Sequence, residues 1–141
     1  MDFASIQAFF NRADSFARHN GMSITELRDG FARAEMELQP SHLNGARTVH
    51  GGALFTLADF AFAAASNSSG RLALSINSSI SIYQGAQEGR LTAEARRVSE
   101  SAKLASYEVA IRTAGGDLLA AFQGMVYRKA APLDALPAWP E

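Results

Sequence analysis

At 141 residues the chain has the length of one domain with one sizeable core, 1–141, and has no room for separate cofactor and substrate domains. Its composition, 48% hydrophobic and 19% charged, is globular, and 13 basic against 14 acidic side chains give a net charge of −1 that offers nucleic acid no electrostatic footprint. With no cysteine there is no disulfide, thiolate metal site or cysteine nucleophile, and His19, His42 and His50 have no metal-ligand spacing with acidic partners, so neither metal nor cofactor is expected.

The N-terminal MDFASIQAFFNRADSF lacks the basic region and unbroken apolar stretch of a signal peptide, which fits a cytoplasmic protein. Phe3, Ile6, Phe9, Phe10, Ala13, Phe16 and Ala17 recur at spacings of three and four, which predicts one amphipathic helix over 3–18, ended by Asn20-Gly21 within an N-terminal helical segment 1–20. Strands are expected over about 22–29 and 31–38 with a turn at Gly30; in the second, Ala32, Ala34, Met36 and Leu38 alternate with Phe31, Arg33, Glu35 and Glu37. Residues 39–49 read as a loop and 51–69 as a buried helix too interrupted to span a membrane. Beyond Gly70 the period becomes two. Leu72, Leu74, Ile76, Ile80 and Ile82 share one strand face opposite a run of serines, and further strands follow near 91–99, 104–113 and 118–129, the last entered through Gly115-Gly116-Asp117. The proline-rich tail 130–141 reads as loosely attached.

A helix apolar on nearly all sides must be enclosed, and one curved antiparallel sheet wrapped around it does so on one side. Dimerisation would cover the other. The only charge in the run from Gly51 to Ser69 is Asp59, and a lone carboxylate among Leu54, Phe55, Leu57, Phe60 and Phe62 is costly unless chemistry requires it. At the start of the same helix, His50-Gly51-Gly52 presents first-turn N–H groups that lack intrahelical acceptors, a ready site for an oxyanion, with no Cβ at Gly51 or Gly52 to keep a substrate from the backbone. Gly51 and Asp59 are about 12 Å apart along the axis, too far to act on one carbonyl from one helix. Two antiparallel copies related by a two-fold axis near Phe55 would bring Gly51 of one chain opposite Asp59 of the other.

The segment HLNGARTVHGGALFTLADFAFAAASNS closely resembles the signature of the PaaI-like (phenylacetate-degradation type) acyl-CoA thioesterases of the hotdog superfamily, and the likeness continues to about Arg128. The resemblance implies an α+β hotdog fold, an active homodimer usually paired into a homotetramer, and hydrolysis of an acyl-CoA thioester. On the matching positions Gly51 would supply the oxyanion N–H and Asp59 would be nucleophile or general base. Asn44 and His50 would position the thioester or water, beside Gly52, and Ser75 matches a polar position on the following strand. Two departures stand out: Gln84-Gly85 replaces an Arg-Pro-like pair, and Ala63 replaces a hydroxyl residue one turn after the acid.

Each residue also has a structural reading. Asp59 could be held by Thr56 or Ser75, His50 could be a loop hydrogen-bonding group, Asn44 could be turn chemistry, and Ser75 is one of several serines on its strand. Arg96, Arg97, Lys103, Arg128 and Lys129 are candidates for CoA phosphates. Phe55, Phe60, Phe62, Ala61 and Ala64 could shape a compact pocket favouring aryl or short to medium acyl groups. The rival functions are a hotdog-fold dehydratase or hydratase, whose Gly-His-Phe-Pro or Asp-x-Asn-Pro-x-His motifs are missing here, and a noncatalytic acyl-CoA-binding module.

Overall fold

The computed structural model describes residues 1–137; the end of the expected tail, 138–141, lies outside the described residues. The N-terminal run is two helices, α1 (Phe3–Ala13) and α2 (Ser15–His19), not the single helix its periodicity predicts. The break is made by Asp14, whose carboxylate accepts the Ala17 N–H at 3.0 Å and starts a new helix as its cap. Asp2 caps α1 in the same way through the Ser5 N–H. Ile6 and Phe10 are the residues α1 buries, as expected of its apolar face.

Strands β1 (Met22–Arg28) and β2 (Phe31–Glu37) form a hairpin that turns at Gly30, where φ of +66° favours a residue without Cβ. Ala32, Ala34 and Met36 point into the core. Phe31, expected on the polar face, is nevertheless 2% exposed, because the Arg28 and Arg96 guanidinium groups cover its ring at 3.8 and 4.8 Å from the centroid. After a short 3₁₀ turn at Pro40–His42 comes the long helix α3 (Gly51–Ser66). Then come β3 (Arg71–Ile82), β4 (Arg90–Glu100), β5 (Leu104–Thr113) and β6 (Leu118–Pro132).

The strands make one six-stranded antiparallel sheet in the order β1-β2-β4-β5-β6-β3. It curls around α3, which lies chiefly over β2, β4 and β5. The close approach follows from small residues on the sheet, Ala32, Ala34, Ala93 and Ala95, all fully buried against a helix that buries Leu54, Leu57, Ala58, Ala61 and Ala65. This is the hotdog architecture the sequence implied. Asn67 closes the helix: its side chain donates to the Ala63 and Ala73 carbonyls and accepts the Ala73 N–H, which ties α3 to the start of β3.

Two further expectations are corrected. The apolar residues of β3 do not form one buried face, because a register shift between Ser75 and Asn77 changes which alternate residues face α3. Ala73 is buried before the shift and Ile80 packs on the core after it, while Leu74 and Ile76 remain 47% and 56% exposed on the sheet's edge. Nor is the described part of the tail loose. β6 runs to Pro132, and Leu133, 2% exposed, donates its N–H to the Gly70 carbonyl at 2.7 Å.

Candidate active site

Three sides of α3 are enclosed. The remaining stripe, at helical spacing, consists of exposed Gly52 and Phe55 and half-buried Thr56, Asp59 and Ala63. Asp59 therefore lies on the face of the helix that the sheet does not cover. Burial, and secondarily the nearby Asp14 carboxylate, raises its pKa above the ordinary aspartate value. The two side chains that could have tied it down are engaged elsewhere: Thr56 Oγ1 donates to the Gly52 carbonyl at 2.7 Å, and Ser75 Oγ lies 3.1 Å from Ser78 Oγ. Among the described residues no group donates a hydrogen bond to the Asp59 carboxylate. A carboxylate with a raised pKa and unoccupied lone pairs is equipped to take a proton.

Asp59 opens onto a cavity of about 290 Å³ whose lining includes Ser75, Phe62 and Ala63. The structure thus brings Asp59 and Ser75 together. Phe62 reaches this cavity over Gly124, where a Cβ would sit 2.6 Å from the Phe62 ring, a requirement with no local pattern to announce it. Of the other residues expected to shape a pocket, Phe60, Ala61 and Ala64 are consumed in the core, and Phe55 lies on the exposed stripe against Phe122.

Gly51 stands at the other end of α3. His50 is the helix cap: its Nδ1 accepts the Gly52 N–H at 2.8 Å, and its carbonyl accepts the Ala53 and Leu54 N–H groups at 2.9 and 3.2 Å. That accounts for the neighbouring donors and leaves the Gly51 N–H, among the described residues, without an acceptor. The Gly52 N–H is therefore spent on His50. Asn44 Oδ1 accepts the Ala46 and Thr48 N–H groups at 2.9 and 3.3 Å, closing a turn that holds Arg47 at φ +60°. Within one protomer, Asn44, His50 and Gly51 do not reach the cavity at Asp59.

The Gln84-Gly85 departure has a local cause. Gly85 packs directly on the Thr48 side chain with no space for a Cβ, and Gln84 Nε2 bonds the Leu118 carbonyl. Of the five candidate phosphate-binding bases, Arg96, Arg97 and Arg128 are in ion pairs with Glu94, with Asp29 and Glu100, and with Glu100 respectively. Sequence reasoning missed four cavity residues from the chain's two ends, Phe9, Phe10, Leu133 and Leu136, and missed Asp14 beside the acid.

The half-buried acid on the long helix and the unused N–H at that helix's start are the two groups the protomer leaves without partners among the described residues. Residues 4–125 match the family described as a domain of unknown function, DUF4442. A protein of Archaeoglobus fulgidus, provisionally named an esterase, is 45% identical over 106 residues, 74% of this chain and 69% of that one. The acyl-coenzyme A thioesterase PaaI of Escherichia coli is 34% identical over 82% of this chain and 83% of its own length. The structure of the E. coli PaaI protein from the phenylacetic acid degradation operon superposes with a TM-score of 0.88 at 29% identity, over 92% of this chain and 95% of that one. The chain belongs to the DUF4442 family and to the PaaI-like hotdog-fold thioesterases.

Proposed function

We propose that the protein hydrolyses acyl-CoA thioesters with a compact aryl or short to medium acyl group, releasing the free acid and CoA. The observation that carries this reading is the Asp59 carboxylate, raised in pKa, unbonded and facing a cavity. It acts as general base: it takes a proton from water, the resulting hydroxide attacks the thioester carbonyl, and the tetrahedral oxyanion collapses with loss of CoA thiolate. Ser75, beside Asp59, holds that water. The Gly51 N–H at the positive end of α3 receives the carbonyl oxygen and binds it more tightly as charge develops. His50 positions that donor by fixing the first helical turn, and Asn44 shapes the loop that leads into it.

The active unit is a homodimer whose site takes Gly51 from one protomer and Asp59 from the other. β3 is an edge strand carrying exposed Leu74, Ile76 and Ile82. A Cβ on Gly51 would lie 3.4 Å from Ile82, whereas Ser75 shares the cavity of Asp59. Antiparallel pairing of two β3 strands about an axis between Ser78 and Ser79 sets Ile82 of one chain against Ser75 of the other, so Gly51 and Asp59 meet across the interface. Two such dimers pair into a homotetramer by the family pattern. Among the described residues no helix is long and apolar enough to cross a membrane, and the CoA-thioester substrate suits the cytoplasm.

The test is steady-state hydrolysis of phenylacetyl-, benzoyl-, hexanoyl- and palmitoyl-CoA, followed by a single turnover in ¹⁸O-water. Label in the product acid on the first turnover supports general-base attack by water. Unlabelled product with label in Asp59 would instead require the carboxylate as nucleophile, and no turnover of any thioester would end the reading.

A further inference from the structure

The cavity beside Asp59 is lined by α3, β3 and Val126 of β6, and is walled as well by Phe9 and Phe10 from α1 and by Leu133 and Leu136 from the turn after β6. The two leucines lie beyond the stretch that matches the family model, 4–125. This wall has a fixed part and a rim. Phe10 and Leu133 are 8% and 2% exposed, whereas Phe9 is half-buried and Leu136 is 42% exposed. The Phe9 and Phe10 rings brace each other edge to face at 5.4 Å, and the Leu133 N–H is anchored to Gly70.

The wall offers an apolar ligand nothing polar to bond. Ser66 and Asn67, which also line the cavity, have turned their side chains to the Ala63 and Ala73 backbone, so Asp59 is the one charged group in the lining. A hydrocarbon chain or ring fits such a space, and a hydrophilic group does not. At about 290 Å³ the cavity is at the small end of ligand pockets, which run from about 300 to 1,000 Å³, and so suits a ring or a short acyl chain.

We infer that Phe9, Phe10, Leu133 and Leu136 form an end stop that sets the maximum acyl length, so that the chain's two termini together determine substrate specificity. The inference rests on the proposed placing of the thioester at Asp59. The acyl group would then run from the carbonyl carbon at Asp59, along Phe62 and Ala63, toward Phe9 and Leu136.

The test compares kcat/KM for butyryl-, hexanoyl-, octanoyl-, dodecanoyl- and palmitoyl-CoA in four proteins: wild type, Phe9→Ala, Leu136→Ala and Leu136→Trp. Phe9 and Leu136 were chosen over Phe10 and Leu133 because they are the less buried members, and the two Leu136 variants keep the test intact if Phe9→Ala folds poorly. The wild type is expected to lose activity beyond octanoyl-CoA. Each alanine variant should raise dodecanoyl relative to butyryl turnover about 10-fold, the scale of a methylene or two in a hydrophobic pocket. Leu136→Trp should shift the limit toward shorter chains, lowering octanoyl relative to butyryl turnover. An unchanged chain-length profile in both Leu136 variants, with normal butyryl turnover, overturns the end stop and leaves the thioesterase reading standing. If no protein hydrolyses any thioester, the catalytic reading fails first; the end stop is then judged by fatty-acid binding to Asp59→Asn protein, where length selectivity that Leu136→Trp does not alter would overturn it.

Discussion

His50 Nδ1 accepts the Gly52 N–H at 2.8 Å, and by doing so separates two adjacent glycines into one with a committed donor and one, Gly51, with a free donor. A Cβ on Gly52 would come within 3.0 Å of that same nitrogen, so the pair is also fitted sterically. His50 thereby fixes the first turn of α3 as its N-cap.

It follows that His50→Asn should keep both fold and turnover close to wild type, because Asn is among the best helix caps. His50→Ala should lose about 1 kcal/mol of stability and a measurable part of kcat, through the freed Gly52 N–H. Thermal unfolding alongside kcat for the two variants checks this. Equal loss of activity in both would mean that the imidazole itself works in the reaction.

Asp59→Asn should lower kcat about 10²–10⁴-fold, the usual contribution of a general base. The same change should stabilise the fold near neutral pH. Burial raises the Asp59 pKa in the native state, so folding prefers the protonated form. The penalty is absent below the unfolded-state pKa, grows as pH rises through it, and is complete above the raised native value. The variant's advantage in Tm should therefore be present at pH 7 and vanish near pH 3. An advantage that persists in acid would point to packing instead of charge.

Asp14 is the second cause of the raised Asp59 pKa. Asp14→Asn removes that like charge while preserving a helix cap of equal strength. The acid limb of the kcat/KM profile should move to lower pH, with Tm nearly unchanged. A profile that stays in place would show that Asp14 does not influence the reacting group.

The cross-chain site predicts complementation. Asp59→Asn and Gly51→Val homodimers should each be nearly inactive, the second because the added side chain blocks a carbonyl oxygen's approach to the residue 51 N–H, which the valine itself retains. Heterodimers formed by mixing them contain one intact Gly51 facing one intact Asp59 and should recover activity at one site in two. Heterodimers confirmed by native mass spectrometry that stay inactive would place both groups in sites built another way.

The sheet, the buried helix and the acid on it were legible because each is a local pattern: period two in β4 and β5, an uncharged run in α3, one carboxylate within it. What escaped depends on contacts between distant segments or on a single residue's departure from a pattern. Asp14 reads as one more residue on a helix face until its side chain is seen capping α2. The shift between Ser75 and Asn77 reverses the strand's alternation with no glycine or proline to announce it. Leu133 and Leu136, among prolines, look like a tail, and only the fold sets them opposite Phe9 and Phe10. Gly52 shows the limit of motif reasoning: its N–H is equivalent to that of Gly51 in sequence and differs only because His50 has claimed it.

The open edge of β3 bears on how the protein must be made. From Leu72 to Gln87 the chain has no charged residue and no proline, so this strand lacks the lysines and prolines that commonly keep exposed edges from sticking to other chains. A protomer with Leu74 and Ile76 exposed on that edge is adhesive unless a partner covers it, as the proposed dimer would. Its safety in the cell is then a matter of concentration and time: slow production or dilution prolongs the single-chain state, and the same backbone groups proposed to build the dimer become the seed for uncontrolled strand addition.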